Sequence, residues 1–145
     1  MGPGEPADAG VSAFVTTRPF VSHSGVFEAF GRADALLLFE APGYYAEFSY
    51  AAKVFDYILT GKPVLALIEA GGNTARLLES LEVAYLATPG DVAGFTAALS
   101  RVLATKGAPP RAIDPTVEPL RSFDRRHLVS RLAATLDATV EHPNR

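Results

Sequence analysis

The fold is decided by the stretch Lys53-Val-Phe-Asp-Tyr-Ile-Leu-Thr-Gly-Lys-Pro-Val-Leu-Ala-Leu67, which predicts a helix that ends abruptly and leads into a strand. Apolar residues before and within it recur at spacings of four, three and four, as on a helix packed along one side: Phe48, Ala52, Phe55 and Leu59. Gly61 can adopt the left-handed conformation that ends a helix, and Pro63 cannot continue one. The run 64–68 then predicts a strand buried on both faces, as in parallel sheets.

The same helix carries a second, polar stripe. Its members lie at i, i+3, i+4 and i+7 and comprise a cation, an anion, a phenol and a hydroxyl: Lys53, Asp56, Tyr57 and Thr60. From the residues alone two interpretations stay open. The stripe is either a solvated helix face or a set of ligand-binding groups.

Composition restricts the class of protein. The chain has 145 residues, of which 48% are hydrophobic and 20% charged, and this predicts one folded domain rather than a disordered chain. A net charge of -3 without a long Lys/Arg run argues against a nucleic-acid partner. The absence of cysteine excludes disulfides and zinc-thiolate sites. Because neither a signal peptide nor an apolar run of about 18 residues is present, we expect a cytoplasmic protein.

Strands and helices are predicted to alternate along the chain. Apolar runs predict strands at 12–17, 35–39, 64–68 and 83–87. Ser24 and Asp91 are the expected caps of two of the intervening helices, and leucines at spacings of four mark a last helix. The alternation predicts an α/β fold, a Rossmann-like parallel sheet with helices on both faces. We expect a flexible leader at 1–10, an α/β domain at 11–105, a Pro-rich connector at 106–122 and a C-terminal helix at 123–141.

In such sheets ligands bind at the carboxyl ends of the strands. Those ends are the predicted loops at 17–24, 40–49, 69–74 and 88–91, which hold the unusual polar residues of the chain. The first strand, at 12–17, would be an exposed edge that favours self-association or capture of a partner chain.

Four segments resemble, in this order, sequence motifs of one known family: Phe20-Val-Ser-His-Ser24, Phe30-Gly-Arg-Ala-Asp-Ala-Leu-Leu-Leu38, the segment 53–65, and Phe123-Asp-Arg-Arg-His-Leu128. Together they resemble the donor-binding domain of GT-B glycosyltransferases, especially the retaining family-4 type. In that family a Lys-x-x-acid-Tyr-x-x-x-Gly-x-Pro segment forms the wall of the nucleotide-sugar site. The likeness covers about residues 12–140 and implies a partial GT-B C-terminal domain, with 11–105 as its Rossmann-like donor-binding part.

The resemblance implies a site for a nucleoside-diphosphate sugar. Asp56 would accept hydrogen bonds from the ribose hydroxyls, Lys53 would lie near the phosphates or the sugar, and the loop around 20–22 would hold the base. The full donor-binding set is Lys53, Asp56, Tyr57, Glu47, Phe20, Val21, Ser22 and Gly61. No catalytic residue is assigned, and we expect no cofactor and no metal.

The chain departs from the family in two respects. The family usually carries Glu where this chain has Asp56, and often a second Glu where this chain has Phe48, with Glu47 beside it. Glu47 either substitutes for that second carboxylate or the sugar is bound differently. The N-terminal acceptor domain and the first part of the donor domain also have no counterpart here, so either a further domain or a partner chain is expected to supply them.

Other residues keep two interpretations. His23 is either a loop residue or a base; Gly71 and Gly72 form either a plain turn or a phosphate-binding loop; and Glu40 is either an exposed carboxylate or a site residue. Four arginines surround the start of the last helix and either form a solvated face or contact anionic lipid at the inner face of the cell membrane: Arg121, Arg125, Arg126 and Arg131.

The expected function is therefore the donor-binding portion of a glycosyltransferase, a hexosyltransferase-type enzyme that moves a sugar from a nucleoside-diphosphate sugar to an acceptor. We expect the isolated chain to be inactive without the acceptor domain. Two alternatives stay open: a fragment of a sugar-nucleotide epimerase, and a non-catalytic nucleotide-binding or interaction module.

Overall fold

The computed structural model describes residue 10 and residues 13–141, and the chain divides into two compact units, Met1–Ala33 and Asp34–Arg145. The first unit holds helix α1 (His23–Arg32). Ser22 caps this helix, because its Oγ accepts a hydrogen bond from the backbone N–H of Gly25 at 3.3 Å. The prediction of Ser24 as the cap is wrong, since Ser24 lies inside the first turn, where its hydroxyl contacts that of Ser22 at 3.0 Å.

The predicted strand at 12–17 is also wrong for the residues that can be described. Ser12 lies outside them, and residues 13–17 form a turn followed by chain without strand pairing. Phe14 is 89% exposed. A strand requires a paired backbone and a buried face, and the apolar residues of this run have neither. Residues 13–17 therefore do not form the predicted exposed edge strand.

The second unit is built on a parallel sheet. Within the described part of the chain the sheet contains β1 (Leu36–Phe39), β2 (Val64–Leu67) and β3 (Ala84–Ala87), in the spatial order β1-β2-β3. Leu36 lies opposite Val64, and Val64 lies opposite Ala84. The predicted strands at 35–39, 64–68 and 83–87 are thus confirmed to within one residue, and the fold is α/β with a Rossmann-like arrangement of parallel strands and intervening helices.

Helix α2 (Val54–Leu59) is shorter than predicted. The chain between the strand at 36–39 and this helix contains a 3-10 turn (Tyr44–Glu47) and then runs without helix until Val54. The backbone N–H of Ala51 donates to the side chain of Thr74 at 3.0 Å instead of taking part in a helix. This long-range bond holds the residues after Phe48 out of the helix.

The buried stripe of α2 is not the predicted one. Val54 and Ile58 are fully buried, and Tyr57 is 8% exposed. Phe48 and Leu59, which were expected to face the core, are 64% and 57% exposed. The expected stripe is therefore wrong, and Tyr57 belongs to the core rather than to a solvated polar face.

The core lies on both faces of the sheet. Helix α4 (Val92–Ala104) packs through Ala98 and Val102 against Leu65 and Ala87 on one face, and Asp91 caps it as predicted, accepting from Gly94 N–H at 2.8 Å. On the opposite face the β2 residues Val64 and Ala66 are fully buried. Their burial requires cover on that side, which the buried stripes of α2 and of α3 (Asn73–Leu81) provide.

Strand β1 differs from the expectation of burial on both faces. It is the edge of the described sheet, and its residues alternate between buried and exposed. Leu36 and Leu38 are buried, whereas Leu37 is 45% and Phe39 62% exposed. The sheet face below α4 is therefore covered over β2 and β3 but leaves apolar side chains of β1 in contact with solvent.

The Pro-rich connector is held to the second unit at Arg111. Its backbone N–H donates to the carbonyl of Gly61 at 2.8 Å, and its Nη1 donates to the carbonyls of Leu81 and Glu82 at 3.0 and 3.1 Å. Gly61 has a φ of +66°, and a Cβ there would collide with the carbonyl of Arg111. The glycine thus ends α2, as predicted, and also permits this close approach.

Helix α5 (Arg125–Glu141) confirms the predicted C-terminal helix. It contacts the 3-10 turn Leu120–Phe123 that precedes it. Its apolar residues nevertheless remain exposed to between 45% and 77%: Leu128, Val129, Leu132, Leu136 and Val140.

Candidate functional site

The candidate site lies where β1 and β2 end, because the two loops that follow them meet there with the start of α3. Parallel strands bring their carboxyl ends to one edge of the sheet, and loops at that edge form the usual ligand crevice of such folds. The loop after β1 runs from Glu40 to Lys53 and the loop after β2 from Ile68 to Gly72. Residues of both loops line one cavity, and residues of the loop after β1 help to line a second.

Thr74 connects these segments. It is the second residue of α3 and is completely buried. Its Oγ1 accepts a hydrogen bond from Ala51 N–H at 3.0 Å and donates one to Oε1 of Glu40 at 3.3 Å. One hydroxyl therefore ties the beginning and the end of the loop after β1 to the start of α3, and it places Glu40 inside the site rather than free on the surface.

Glu69 makes a second connection. Its Oε2 accepts a hydrogen bond from the backbone N–H of Gly43 at 3.0 Å. Gly72 lies against the same loop, since a Cβ there would be 3.0 Å from the carbonyl oxygen of Ala46. A side chain at Gly72 would require Ala46 to move by a few tenths of an ångström, so close packing favours glycine there without reference to a phosphate.

A cavity of about 250 Å³ lies between the two loops. Its walls are formed by Gly43 and Ala46, by the segment 69–72, and by Glu47. The exposed carboxylate of Glu47 and that of Glu69 thus border one space, and the start of α3 beside it has no side-chain cap. Carboxylates accept hydrogen bonds from hydroxyls, and uncapped backbone N–H groups attract anions.

A second cavity, of about 460 Å³, lies along β1. It is lined by the strand itself and by Ala51, Ala52, Lys53 and Tyr57. Lys53 is exposed, and among the described residues it forms no ion pair. The Tyr57 hydroxyl donates to the carbonyl of Leu37 at 3.4 Å. Burial, and then the neighbouring charge of Asp56, raise the pKa of Tyr57, so its phenol stays protonated in the physiological range.

Two members of the predicted donor-binding set lie outside both cavities. Asp56 is half-buried in the first turn of α2, next to Tyr57. Gly61 precedes β2, at the amino ends of the strands, and lines a separate cavity of about 180 Å³ together with Arg111. Of the predicted residues in the second unit, Lys53 and Tyr57 therefore share one cavity, Glu47 borders the other, and Asp56 and Gly61 join neither.

Phe20, Val21 and Ser22 belong to the first unit. Phe20 is fully exposed and Val21 is 42% exposed. Ser22 is the cap of α1, and the ring of His23 packs edge-on against Phe27 with ring centres 4.9 Å apart. These contacts account locally for Ser22 and His23.

Residues that sequence reasoning missed are Thr74 as the hydroxyl that joins the loops and Glu69 as a cavity wall. Their partners lie between 23 and 34 residues away in sequence. The sequence offered one indication that Thr74 and Glu69 belong to a site: both residues follow the carboxyl end of a predicted buried strand.

The chain was compared with protein-family models, with curated proteins and with solved structures, and none of the three comparisons found a match. Within residues 10 and 13–141, no helix is both long and apolar enough to cross a bilayer. The same residues contain no group of three or more His, Asp or Glu side chains placed to hold a metal ion.

Proposed function

We propose that the chain binds a nucleoside-diphosphate sugar at the carboxyl ends of β1 and β2 and forms the donor-binding portion of a GT-B-type glycosyltransferase. The observation that carries this proposal is the cavity bordered by Glu47 and Glu69 between the two loops. Glu47 is the residue that the family resemblance nominates as the substitute for a missing carboxylate, and it lies at the edge where α/β sheets take their ligands.

The volumes of the two cavities support a division of the donor between them. Ligand pockets for whole drug-sized molecules have volumes of about 300–1,000 Å³. The cavity beside Glu47 has about 250 Å³, so it suits one sugar ring rather than the whole nucleotide sugar. Glu47 and Glu69 would accept hydrogen bonds from the sugar hydroxyls there.

The larger cavity along β1 suits the rest of the donor. It has about 460 Å³, and its lining includes a cation, Lys53, and the exposed side chain of Phe39. Lys53 would attract the phosphates, and Phe39 offers an aromatic face on which a base can stack. Because Asp56 lines neither cavity, we assign it no contact with the ribose, although the resemblance implies one.

Group transfer itself requires a departing diphosphate and an acceptor. In the proposed scheme this chain contributes binding and electrostatic stabilisation of the leaving group, and the acceptor is held by a further domain or a partner chain. We therefore expect donor binding, but no transfer, from the chain alone.

Calorimetric titration can test the two cavities separately. The chain is titrated with UDP, GDP and TDP and with UDP-glucose and GDP-mannose. We expect Glu47→Gln to weaken binding of a nucleotide sugar about tenfold, since a hydrogen bond to a charged group is worth about 1.5–3 kcal/mol, while binding of the free nucleotide stays unchanged. Lys53→Met should weaken both.

Glu79→Gln is the matched control, because Glu79 is exposed on α3 and lines neither cavity. It should leave all affinities unchanged. If the folded chain binds none of these compounds, the proposed site does not exist in this chain. If Glu47→Gln and Glu79→Gln behave alike, the sugar is not held by Glu47.

A further inference from the structure

We propose that two copies of the chain associate through their α5 helices, which pack antiparallel to each other with Leu132 at the centre. This inference concerns a surface distant in sequence from the candidate site and does not depend on the proposed function.

The helix lacks the cover that its sequence requires. Five apolar residues of α5 are exposed to between 45% and 77%, and no described residue of the helix is buried. Most of the stability of a helix in a protein comes from the packing of its amphipathic face rather than from intrinsic helix propensity. The 17 residues of α5 are therefore expected to gain stability from a partner.

The apolar residues form one continuous face. Leu128, Leu132 and Leu136 follow at spacings of four, and Val129 and Val140 lie beside them at about 100° per residue. Arg125 is the one charged residue in this sector, and it stands in the first turn, where its long side chain can reach past the end of a partner helix. The face is wide enough to pack against one further helix.

Charge favours a second copy as the partner. Arg126 and Asp137 lie eleven residues apart, which is about three helical turns, so both border the apolar face on the same side. In an antiparallel pair of identical helices, residues on one flank face the same flank of the partner. With Leu132 at the centre, each Arg126 comes level, to within one residue, with Asp137 of the other copy.

The same register pairs the leucines. Leu128 of one copy lies opposite Leu136 of the other, and Leu132 lies opposite itself. Hydrophobic and ionic pairing thus require one and the same alignment.

A membrane surface fits less well, because helices that lie on anionic bilayers carry predominantly Lys and Arg on the polar side, whereas α5 mixes Arg126 and Arg131 with Asp137.

The contact is small. Fifteen paired residues span roughly 22 Å at 1.5 Å per residue, and interfaces below about 1,200 Å² in total belong to weak, reversible complexes. Sedimentation velocity from about 1 to 500 µM should therefore show a monomer converting to a dimer as concentration rises, as expected for such an interface.

Charge exchange tests the register. Arg126→Asp and Asp137→Arg should each weaken dimerisation about fivefold to tenfold, because two attractive pairs become repulsive and exposed pairs are worth about 0.2–1 kcal/mol each. The double variant should recover most of the loss. Glu79→Lys, a charge reversal on α3, is the control and should have no effect. A double variant as weak as the single variants would overturn the antiparallel register.

Crosslinking tests the centre of the interface. The chain contains no cysteine, so Leu132→Cys introduces a single thiol, which should form an intermolecular disulfide under mild oxidation. Ser130→Cys places the thiol on the opposite side of the helix and should not. The proposal is overturned if the wild-type chain remains monomeric throughout the concentration range, if both cysteines crosslink equally, or if α5 binds anionic phosphatidylserine vesicles while the chain stays monomeric.

Discussion

Thr74 donates its hydroxyl hydrogen to Oε1 of Glu40 at 3.3 Å, across 34 residues of sequence. The same hydroxyl accepts from Ala51 N–H, so one buried oxygen satisfies a backbone donor and meets a carboxylate. This arrangement makes the loop after β1 part of the folded unit instead of a free surface loop.

Replacing this hydroxyl should destabilise the second unit. Thr74→Val keeps the shape of the side chain but leaves Ala51 N–H without its acceptor. We expect a loss of about 1–3 kcal/mol in the free energy of unfolding, the usual cost of an unsatisfied buried group, measured by urea denaturation. Thr96→Val is the control, since Thr96 is exposed and bonds within α4. Equal losses in the two variants would contradict the assigned role.

The two competing stripes of α2 can be compared by truncation. Ile58→Ala should cost about 2–5 kcal/mol, as for other buried aliphatic residues, because Ile58 is fully buried. Leu59→Ala should cost less than about 1 kcal/mol, since surface substitutions are usually small and Leu59 is 57% exposed. Denaturant titration of both variants decides between the observed stripe and the one expected from periodicity, which predicts the reverse order.

Gly61 should tolerate no side chain. Gly61→Ala combines a left-handed backbone, which costs about 1–2 kcal/mol for other residues, with a collision at the carbonyl of Arg111. Gly107→Ala is the matched control, because Gly107 also has a positive φ, of +85°, but nothing within 4 Å of its Cβ position. Both variants carry the cost of the left-handed backbone, so the difference between their melting temperatures reports the cost of the collision with the carbonyl of Arg111. No difference would mean that the connector does not hold that position.

Tyr57 should make stability depend on pH in the alkaline range. Its pKa is raised above the ordinary value of 10.0 by burial and by the charge of Asp56. Above about pH 10 the unfolded chain therefore loses the phenolic proton while the folded chain keeps it. Fewer protons are then bound in the unfolded state, so the free energy of unfolding falls as pH rises through this range.

Tyr57→Phe should remove that part of the fall. The measurement is urea denaturation of wild type and variant between pH 8 and about 11, a window that brackets the ordinary tyrosine pKa of about 10, and the result is the difference between the two slopes. Contributions from the rest of the chain are common to both proteins and cancel in this difference. Parallel curves would show that Tyr57 ionises equally well in the folded and unfolded chains.

The three paired strands, the end of α2 at Gly61 and the start of α4 at Asp91 were predictable because their signals are local. The runs 64–68 and 83–87 are short, apolar and bounded by turn residues, and Asp91 bonds a backbone N–H three residues away. The burial of Val54 and Ile58 was not predictable from periodicity, because they repeat at helical spacing just as the expected stripe does. The bond from Ala51 to Thr74 selects between the two stripes, and that bond depends on the tertiary fold.

The residues of the candidate site also divide into those that the sequence could nominate and those whose role depends on the tertiary fold. Lys53 and Glu47 could be nominated from the resemblance and from their places after or before predicted elements. Glu69 could not, because its role depends on where Gly43 lies after the chain has crossed from one strand to the next. The prediction of a strand at 12–17 was wrong for a related reason. A strand forms where its backbone pairs with another strand, and apolar residues alone do not provide that pairing.

The bonds of Arg111 have a mechanical consequence. The connector joins the last helix to the chain, yet it is held at Gly61, Leu81 and Glu82, close to the amino ends of β2 and β3. Tension applied to the C-terminal end would therefore reach these three carbonyls before it could extend residues 106–110. The connector therefore transmits force to the sheet and does not behave as a flexible linker.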